Sequence, residues 1–275
     1  MGAVLRNPSR ISVVYQLTMT KFDITAVING HAEGLLAHAS LNSLSRSADA
    51  AAAAGLRVEM LAVLDKPNAL TLQVFEEYAS RREDLRIVTV EHGDLGYARN
   101  SAADEANGKW IGFLDADDIW CTDWLVAAHK AAEADRRNVA WHPEVNVCFG
   151  ATPNIYLHVD MEDPSFHVAQ LAFTNAWTSL VFTSRDFLRS VPYSGTDFKN
   201  NIGYEDWGWN ISVINSGGIH KIVPGTSHAI RTRHTSLVKQ TTAAGCIPRP
   251  SDLFRNAIRN RAGKESERLL SEQAD

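Results

Sequence analysis

Cysteine is scarce. The 275 residues hold three, Cys121, Cys148 and Cys246, an odd and widely spaced set with no CxxC pair. That excludes a disulfide scaffold and a thiolate metal cluster, and it reads as small buried hydrophobes. Long apolar runs are also missing. The Ala48–Ala54 stretch is interrupted by Asp49 and followed by Gly55 and Arg57, so it reads as a helix end. No run approaches the roughly 18 residues a membrane span needs. Met1–Arg10 lacks the continuous apolar core of a signal peptide, so a cytoplasmic chain is expected. Nor is there a basic excess: 27 Lys and Arg against 32 Asp and Glu give a net charge of −5, which argues against nucleic acid as a main partner. Internal repeats are absent. What remains is 45% apolar and 21% charged, ordinary for a folded domain with a sizeable core.

The first half alternates two periodicities. Ile24–Asn29, Val58–Leu64, Leu85–Val90 and Trp110–Leu114 are short apolar runs of the kind buried strands make. Between them lie helical patterns: Leu35, Leu36, Ala39 and Leu44; then Leu72, Phe75 and Ala79; then Ala98, Ala102 and Ala106, a small-residue face suited to lying close on a sheet. This alternation predicts a parallel sheet with right-handed crossovers, whose ligands bind beyond the carboxyl ends of the strands. Asp65, His92–Arg99 and Asp115–Asp118 all fall at those ends.

The second half is less regular. Asp123–Arg136 reads as a helix, and Asn138–Gly150, Tyr156–Val159, Trp177–Phe182 and His220–Val223 read as strands. Ser184 is expected to cap a short helix. Gly203-Tyr204-Glu205-Asp206 precedes a helix whose buried face is predicted as Trp207, Ile211 and Ile214. A polar helix is expected from Asp252 onward, with Phe254 and Ile258.

Phe113-Leu114-Asp115-Ala116-Asp117-Asp118 is the sharpest local feature. Three carboxylates straight after an apolar strand repel one another unless a cation or a set of donors sits among them. Hard divalent ions take carboxylate oxygens and complete their shells with water and phosphate. An Asp-rich turn capping the next helix fits the same residues.

The wider context resembles the family 2 glycosyltransferases of the GT-A fold. The resemblance is carried by Gly93-Asp94-Leu95-Gly96-Tyr97-Ala98-Arg99-Asn100, by Ala106-Asn107-Gly108 leading through the next strand to Asp115-Ala116-Asp117-Asp118, by Gly203-Tyr204-Glu205-Asp206-Trp207, and by the late basic segment Ser227–Arg233. It spans about residues 24–237. It implies an α/β, Rossmann-like, mostly parallel central sheet flanked by helices. It also implies a metal-dependent, inverting transfer from a nucleoside-diphosphate-sugar, a UDP-sugar by preference, to a hydroxyl of a glycan or glycoconjugate.

Carried over residue by residue, the resemblance puts Asn29, Glu33, Asp65, Arg99, Asn100, Asp115, Arg231 and Arg233 on the donor. Asp117, with Asp115 and His228, is implied for a Mn2+ or Mg2+ ion, and His234 is a second histidine candidate because the register of that loop is open. Asp206 matches the catalytic base, with Glu205 beside it. Amphipathic Trp177 and Trp209 are candidate acceptor platforms, set against a bland reading as core. Peripheral association with the cytoplasmic face of a membrane is compatible with such an acceptor. The expected division is a GT-A domain over 1–245, with a nucleotide-binding half at about 22–120 and an acceptor and catalytic half at about 121–245, then a C-terminal helical extension over 246–275.

Two departures from the family pattern stand out. The second strand ends in Leu64-Asp65-Lys66-Pro67-Asn68, one carboxylate short of the common Asp-Asp-Gly-Ser. The first ends in Asn29-Gly30-His31-Ala32-Glu33, without the usual Pro-x-Tyr-Asn. A sugar-nucleotide nucleotidyltransferase is an alternative, disfavoured because no Lys or Arg follows the first strand. A non-catalytic nucleotide-sugar-binding protein is another, disfavoured by the presence of Asp206.

Overall fold

Strand β1, Phe22–Gly30, is buried along most of its length and forms the middle of a parallel group in a computed structural model that describes residues 21–254. A single-turn 3-10 helix at Gly34–Leu36 leads into α1, Ala37–Ala53, and the chain returns as β2, Val58–Asp65. Helix α2, Ala69–Ala79, starts where Asn68 accepts from Thr71 N–H at 2.8 Å, the side-chain cap that follows the Lys66-Pro67 break. Then come β3, Leu85–Val90, α3, Leu95–Glu105, and β4, Gly108–Asp115. Asp94 caps α3 by accepting from Tyr97 N–H.

These four strands lie in the order β3-β2-β1-β4, all parallel. The predicted alternation of strand and helix is therefore the observed one. Gly108 has a steric reason. A Cβ there would sit 2.4 Å from Thr25 N, so β4 can enter beside β1 only with glycine.

The second half extends the same sheet. β5, Ile119–Trp120, and α4, Trp124–Ala134, precede the long strand β6, Val139–Gly150, and its hairpin partner β7, Asn154–Leu157. β8, Phe182–Ser184, runs into α5, Arg185–Ser190, capped by Ser184 as expected. α6, Glu205–Asn215, β9, Ile219–Thr232, and α7, Leu237–Ala243, complete the described chain. Among the described residues the sheet has nine strands, with β4 followed by β8, β6, β9 and β5; most paired positions are parallel, in the first four strands and where β6 and β9 run side by side.

Helices cover both faces. α1, α2 and α4 bury one apolar layer with Trp120, Trp124 and Phe182, while α3, α5 and α6 bury the other with Phe113, Tyr193 and Trp209.

Several boundaries differ from expectation. The last strand is far longer than His220–Val223, because its C-terminal part pairs with β6 and β5 instead of ending in a loop. Trp177 lies in a loop and the strand after it begins only at Phe182. On α6 the buried residues are Trp209, Asn210, Ile211 and Val213, with Trp207 and Ile214 half-buried. β5 and α7 carry no periodic signal long enough to be read. The helix expected after Asp252 falls mostly outside the described residues. No described helix is long and apolar enough to cross a membrane.

Candidate active site

Beyond the carboxyl ends of β1, β2 and β4 opens a cavity of roughly 640 Å3, lined on the strand side by Asn29, Glu33, Asp65, Asp115 and Asp117. Its far wall is Phe198, from a 3-10 turn before α6, with Ile230, Arg231 and Arg233 at and just past the end of β9 and Leu237 and Val238 of α7.

The acidic run after β4 is distributed among partners. Asp115 accepts from Arg99 Nη2 at 2.9 Å and from Ser179 Oγ at 3.3 Å. Asp117 is paired with Arg233, Nη2 to Oδ2 at 2.8 Å. Asp118 is buried and accepts from Arg231 N–H at 2.7 Å. Arg231 Nε also donates to the Asp117 carbonyl at 3.2 Å, and its guanidinium lies over the Phe149 ring at 4.5 Å. Burial pushes the Asp117 carboxyl up to about 6 against the pull of Arg233, with Asp115 and Glu33 adding to the rise. Asp118 is raised as well, by burial first and then by Asp117 and Asp115.

The donor-side residues divide into two kinds. Asp65 accepts from Gly93 and Asp94 N–H, both at 2.8 Å, and so organises the turn before α3. Glu33 accepts from His31 N–H at 2.6 Å. Asn29 is buried at the cavity wall, and neither its Oδ1 nor its Nδ2 has a hydrogen-bond partner among the described residues. Arg99 and Asn100 spend their side chains on partners within the protein. Arg99 is 0% exposed and bridges Asp115 to Glu205 Oε1 at 3.0 Å. Asn100 exchanges two hydrogen bonds with the Tyr193 backbone, at 2.9 and 2.8 Å, and fastens α3 to the loop after α5.

Glu205 and Asp206 open α6. Tyr204 precedes them with φ +55, a left-handed conformation that is costly for a tyrosine and turns the chain so both carboxylates enter at the helix N-terminus. Asp206 accepts from Asn175 Nδ2 at 3.0 Å and from Trp207 N–H at 2.8 Å. Burial raises its pKa to about 7; Glu205 adds to the rise and Arg99 opposes it. Neither Asp206 nor Glu205 lines the cavity itself. Arg99 is the link between them and Asp115.

The remaining candidates, His228, His234, Trp177 and Trp209, do not line the cavity. His228 pairs with Trp120 across β5 and β9, is 1% exposed, and packs edge-on against Trp124 with ring centroids 4.6 Å apart. It stays in the core, while Ile230, Arg231 and Arg233, further along the chain, line the cavity. His234 is exposed on the segment before α7. Trp177 and Trp209, at 1% and 2% exposure, are core residues whose indoles donate to Val159 and Val191 carbonyls. Sequence reasoning missed Asn175, Ser179 and the rim residues Phe198, Leu237 and Val238, none of which stands in a motif.

Among the described residues no three His, Cys, Asp or Glu side chains converge to hold an ion. Asp115 and Asp117 fit an ion that takes one or two carboxylates and completes its shell with water and phosphate. A guanidinium already lies against Asp117, marking a place where positive charge is favourable.

The glycosyl transferase family 2 model matches residues 33–189, more than half of the chain. The chain belongs to glycosyltransferase family 2. It is 28% identical over 82 residues to an uncharacterized glycosyltransferase, EpsJ of Bacillus subtilis (strain 168), a match covering 30% of this chain and 24% of that one. Among solved structures it is similar to S. aureus TarS 1–349 in complex with UDP-GlcNAc, at TM-score 0.60 and 14% identity over 79% of this chain and 60% of that one. It is also similar to the mannosyltransferase PcManGT of Pyrobaculum calidifontis in complex with GDP-Man and Mn2+, at TM-score 0.55 and 16% identity over 80% and 59%. GalNAc-T7 with UDP, GalNAc and Mn2+ follows at TM-score 0.56 and 14% identity, covering 78% and 44%. These likenesses show the GT-A fold. The chain spans about a quarter of the curated relative and no more than 60% of these solved ones.

Proposed function

We propose that this family 2 glycosyltransferase moves a sugar, with inversion, from a nucleoside-diphosphate-sugar to a hydroxyl of a glycan or glycoconjugate. The observation that carries the reading is the Arg99 bridge. It ties Asp115, on the cavity wall, to Glu205, next to Asp206, so the donor carboxylates and the proposed base belong to one connected charge array. About 22–120 then supplies the nucleotide half, about 121–245 the catalytic half, and 246–275 an extension.

Asn29 offers an unpartnered amide to the donor and Glu33 a carboxylate oxygen. UDP is favoured as the nucleotide because TarS and GalNAc-T7 were solved with it, while PcManGT holds GDP-Man. Asp117 and Asp115 would hold a divalent ion, Mn2+ or Mg2+, which supplies Lewis-acid stabilisation of the diphosphate when bound. Arg231 and Arg233 add positive charge on the same wall as the leaving group gains negative charge.

Asp206 takes the proton of the acceptor hydroxyl as its oxygen bonds to the anomeric carbon and the bond to the diphosphate breaks. A base acting opposite the leaving group gives inversion. A carboxylate with pKa about 7 is well matched to that task near neutrality.

Thermal unfolding with UDP, GDP and ADP, each with and without Mn2+, tests the reading most directly. Stabilisation by at least one nucleoside diphosphate, larger with Mn2+, is expected. Stabilisation by none overturns it.

A further inference from the structure

Asp206 is held by more than its own helix. Asn175, on the loop before β8, donates from Nδ2 to Asp206 Oδ2 at 3.0 Å. One turn along α6, Asn210 Nδ2 donates to the Trp177 carbonyl at 3.0 Å and to Asn175 Oδ1 at 2.9 Å. A backbone carbonyl can only accept, so the Asn210 atom facing Trp177 has to be the amide nitrogen. The Asn175 atom facing that nitrogen has then to be its oxygen, which leaves the Asn175 NH2 pointing at Asp206. The network itself therefore fixes both amide orientations.

The parts around it are rigid. Asn210 is buried, and its own carbonyl accepts from His220 Nε2 at 3.0 Å. Trp177 stacks on His220 with ring centroids 4.0 Å apart, and Thr178 N–H donates to His158 Nε2 at 3.1 Å. The loop that carries Asn175 is thus clamped on either side of Trp177.

We propose that Asn175, oriented by Asn210, is the positioning residue that holds the Asp206 carboxylate in its reacting orientation. The inference deepens the reading of Asp206 as base and rests on it. An N–H donated to a carboxylate also favours its charged form. The other groups acting on Asp206 are Glu205 from its own turn, Arg99 from α3, Asp115 from β4 and Tyr156 and Tyr193, and removing Asn175 leaves all of them in place.

The test titrates Asp206 directly, by the carbon-13 signal of Asp carboxyls in labelled full-length protein, with D206N identifying the resonance. N175A should raise the Asp206 midpoint by about one pH unit, through the loss of one charge-assisted hydrogen bond, and N175D by more, because it sets a second carboxylate within hydrogen-bond reach of Asp206. Asn175 is a half-buried loop residue, and an unchanged melting temperature checks that both variants fold. A midpoint in N175A that is unchanged or lower overturns the inference. A separate arm measures UDP release from UDP-GlcNAc with Mn2+: D206N at the wild-type rate would overturn the base reading itself, whatever the titration shows.

Discussion

Arg233 Nη2 lies 2.8 Å from Asp117 Oδ2. The pair brings a cation to a carboxylate that burial already disfavours as an anion, and both residues line the cavity. Arg233→Ala should therefore tighten Mn2+ binding in the absence of nucleotide. A half-exposed ion pair is worth about 1 kcal/mol, or about fivefold in Kd. UDP binding should weaken by a similar factor, because one positive charge has left the same wall. Calorimetric titration with Mn2+ alone and then with UDP reads both; an unchanged Mn2+ affinity would show that Arg233 and the ion use different faces of Asp117.

Asp206 predicts a pH dependence with a definite sign. Burial and Glu205 hold its pKa at about 7, well above the usual carboxylate range. A base works only when ionised, so turnover should rise as pH rises through about 7 and fall tenfold per unit on the acid side. Asp206→Asn should lose the turnover that shows this limb while UDP still stabilises the protein. An acid limb near pH 4 would assign the proton to another group.

The parallel half of this architecture was legible because its strands and helices differ in period. Asp115 and Asp117 were legible for a related reason: a strand that ends in carboxylates can only present them at the sheet edge. What escaped depends on contacts between distant segments. His228, Trp177 and Trp209 carry the right chemistry for a site, but each is buried by segments far from it in the chain. Arg99 looked like a ligand residue and is a buried strut, since its partner Glu205 lies 106 residues away. Asn175 carries no local signal, because its role exists only once the loop meets α6.

Arg99 is the strut between the two halves of the site, and its loss should be structural before it is catalytic. Removing one member of a buried ion-pair group leaves the remaining charges uncompensated, at a cost of about 3–5 kcal/mol. Arg99→Ala should show that loss in denaturant unfolding. Arg99→Lys should recover part of it, since an ammonium is a point charge and cannot keep the fork that reaches both Asp115 and Glu205. Full stability in Arg99→Ala would mean that Asp115 and Glu205 rearrange to share a proton.

Trp209 separates a core role from an acceptor role. It stacks on Tyr193 at 5.0 Å and donates to the Val191 carbonyl at 2.7 Å. Trp209→Ala should destabilise by about 3–5 kcal/mol through the cavity it leaves. Trp209→Phe should cost less and leave the KM for any acceptor unchanged. A raised acceptor KM at unchanged melting temperature would restore the platform role.

The buried histidines set the acid limit of the fold. His158 donates from Nδ1 to the Pro143 carbonyl at 2.7 Å and accepts from Thr178 N–H, an arrangement that uses the neutral ring; burial lowers its pKa to about 4. His220 is lowered to about 3 by burial. In the unfolded chain both protonate near 6.5, so between about pH 6.5 and 4 the unfolded state binds more protons, and stability falls as pH falls. Each histidine contributes up to about 1.4 kcal/mol per pH unit in that window. Asp206 and Asp117 act in the opposite sense over the same range, because their folded pKa values are raised. The histidine share is isolated by His158→Gln, whose amide can still donate to Pro143 and accept from Thr178. Denaturant unfolding at pH 7, 6 and 5 should show a shallower acid loss in that variant than in the wild type. Equal slopes would place the proton uptake elsewhere.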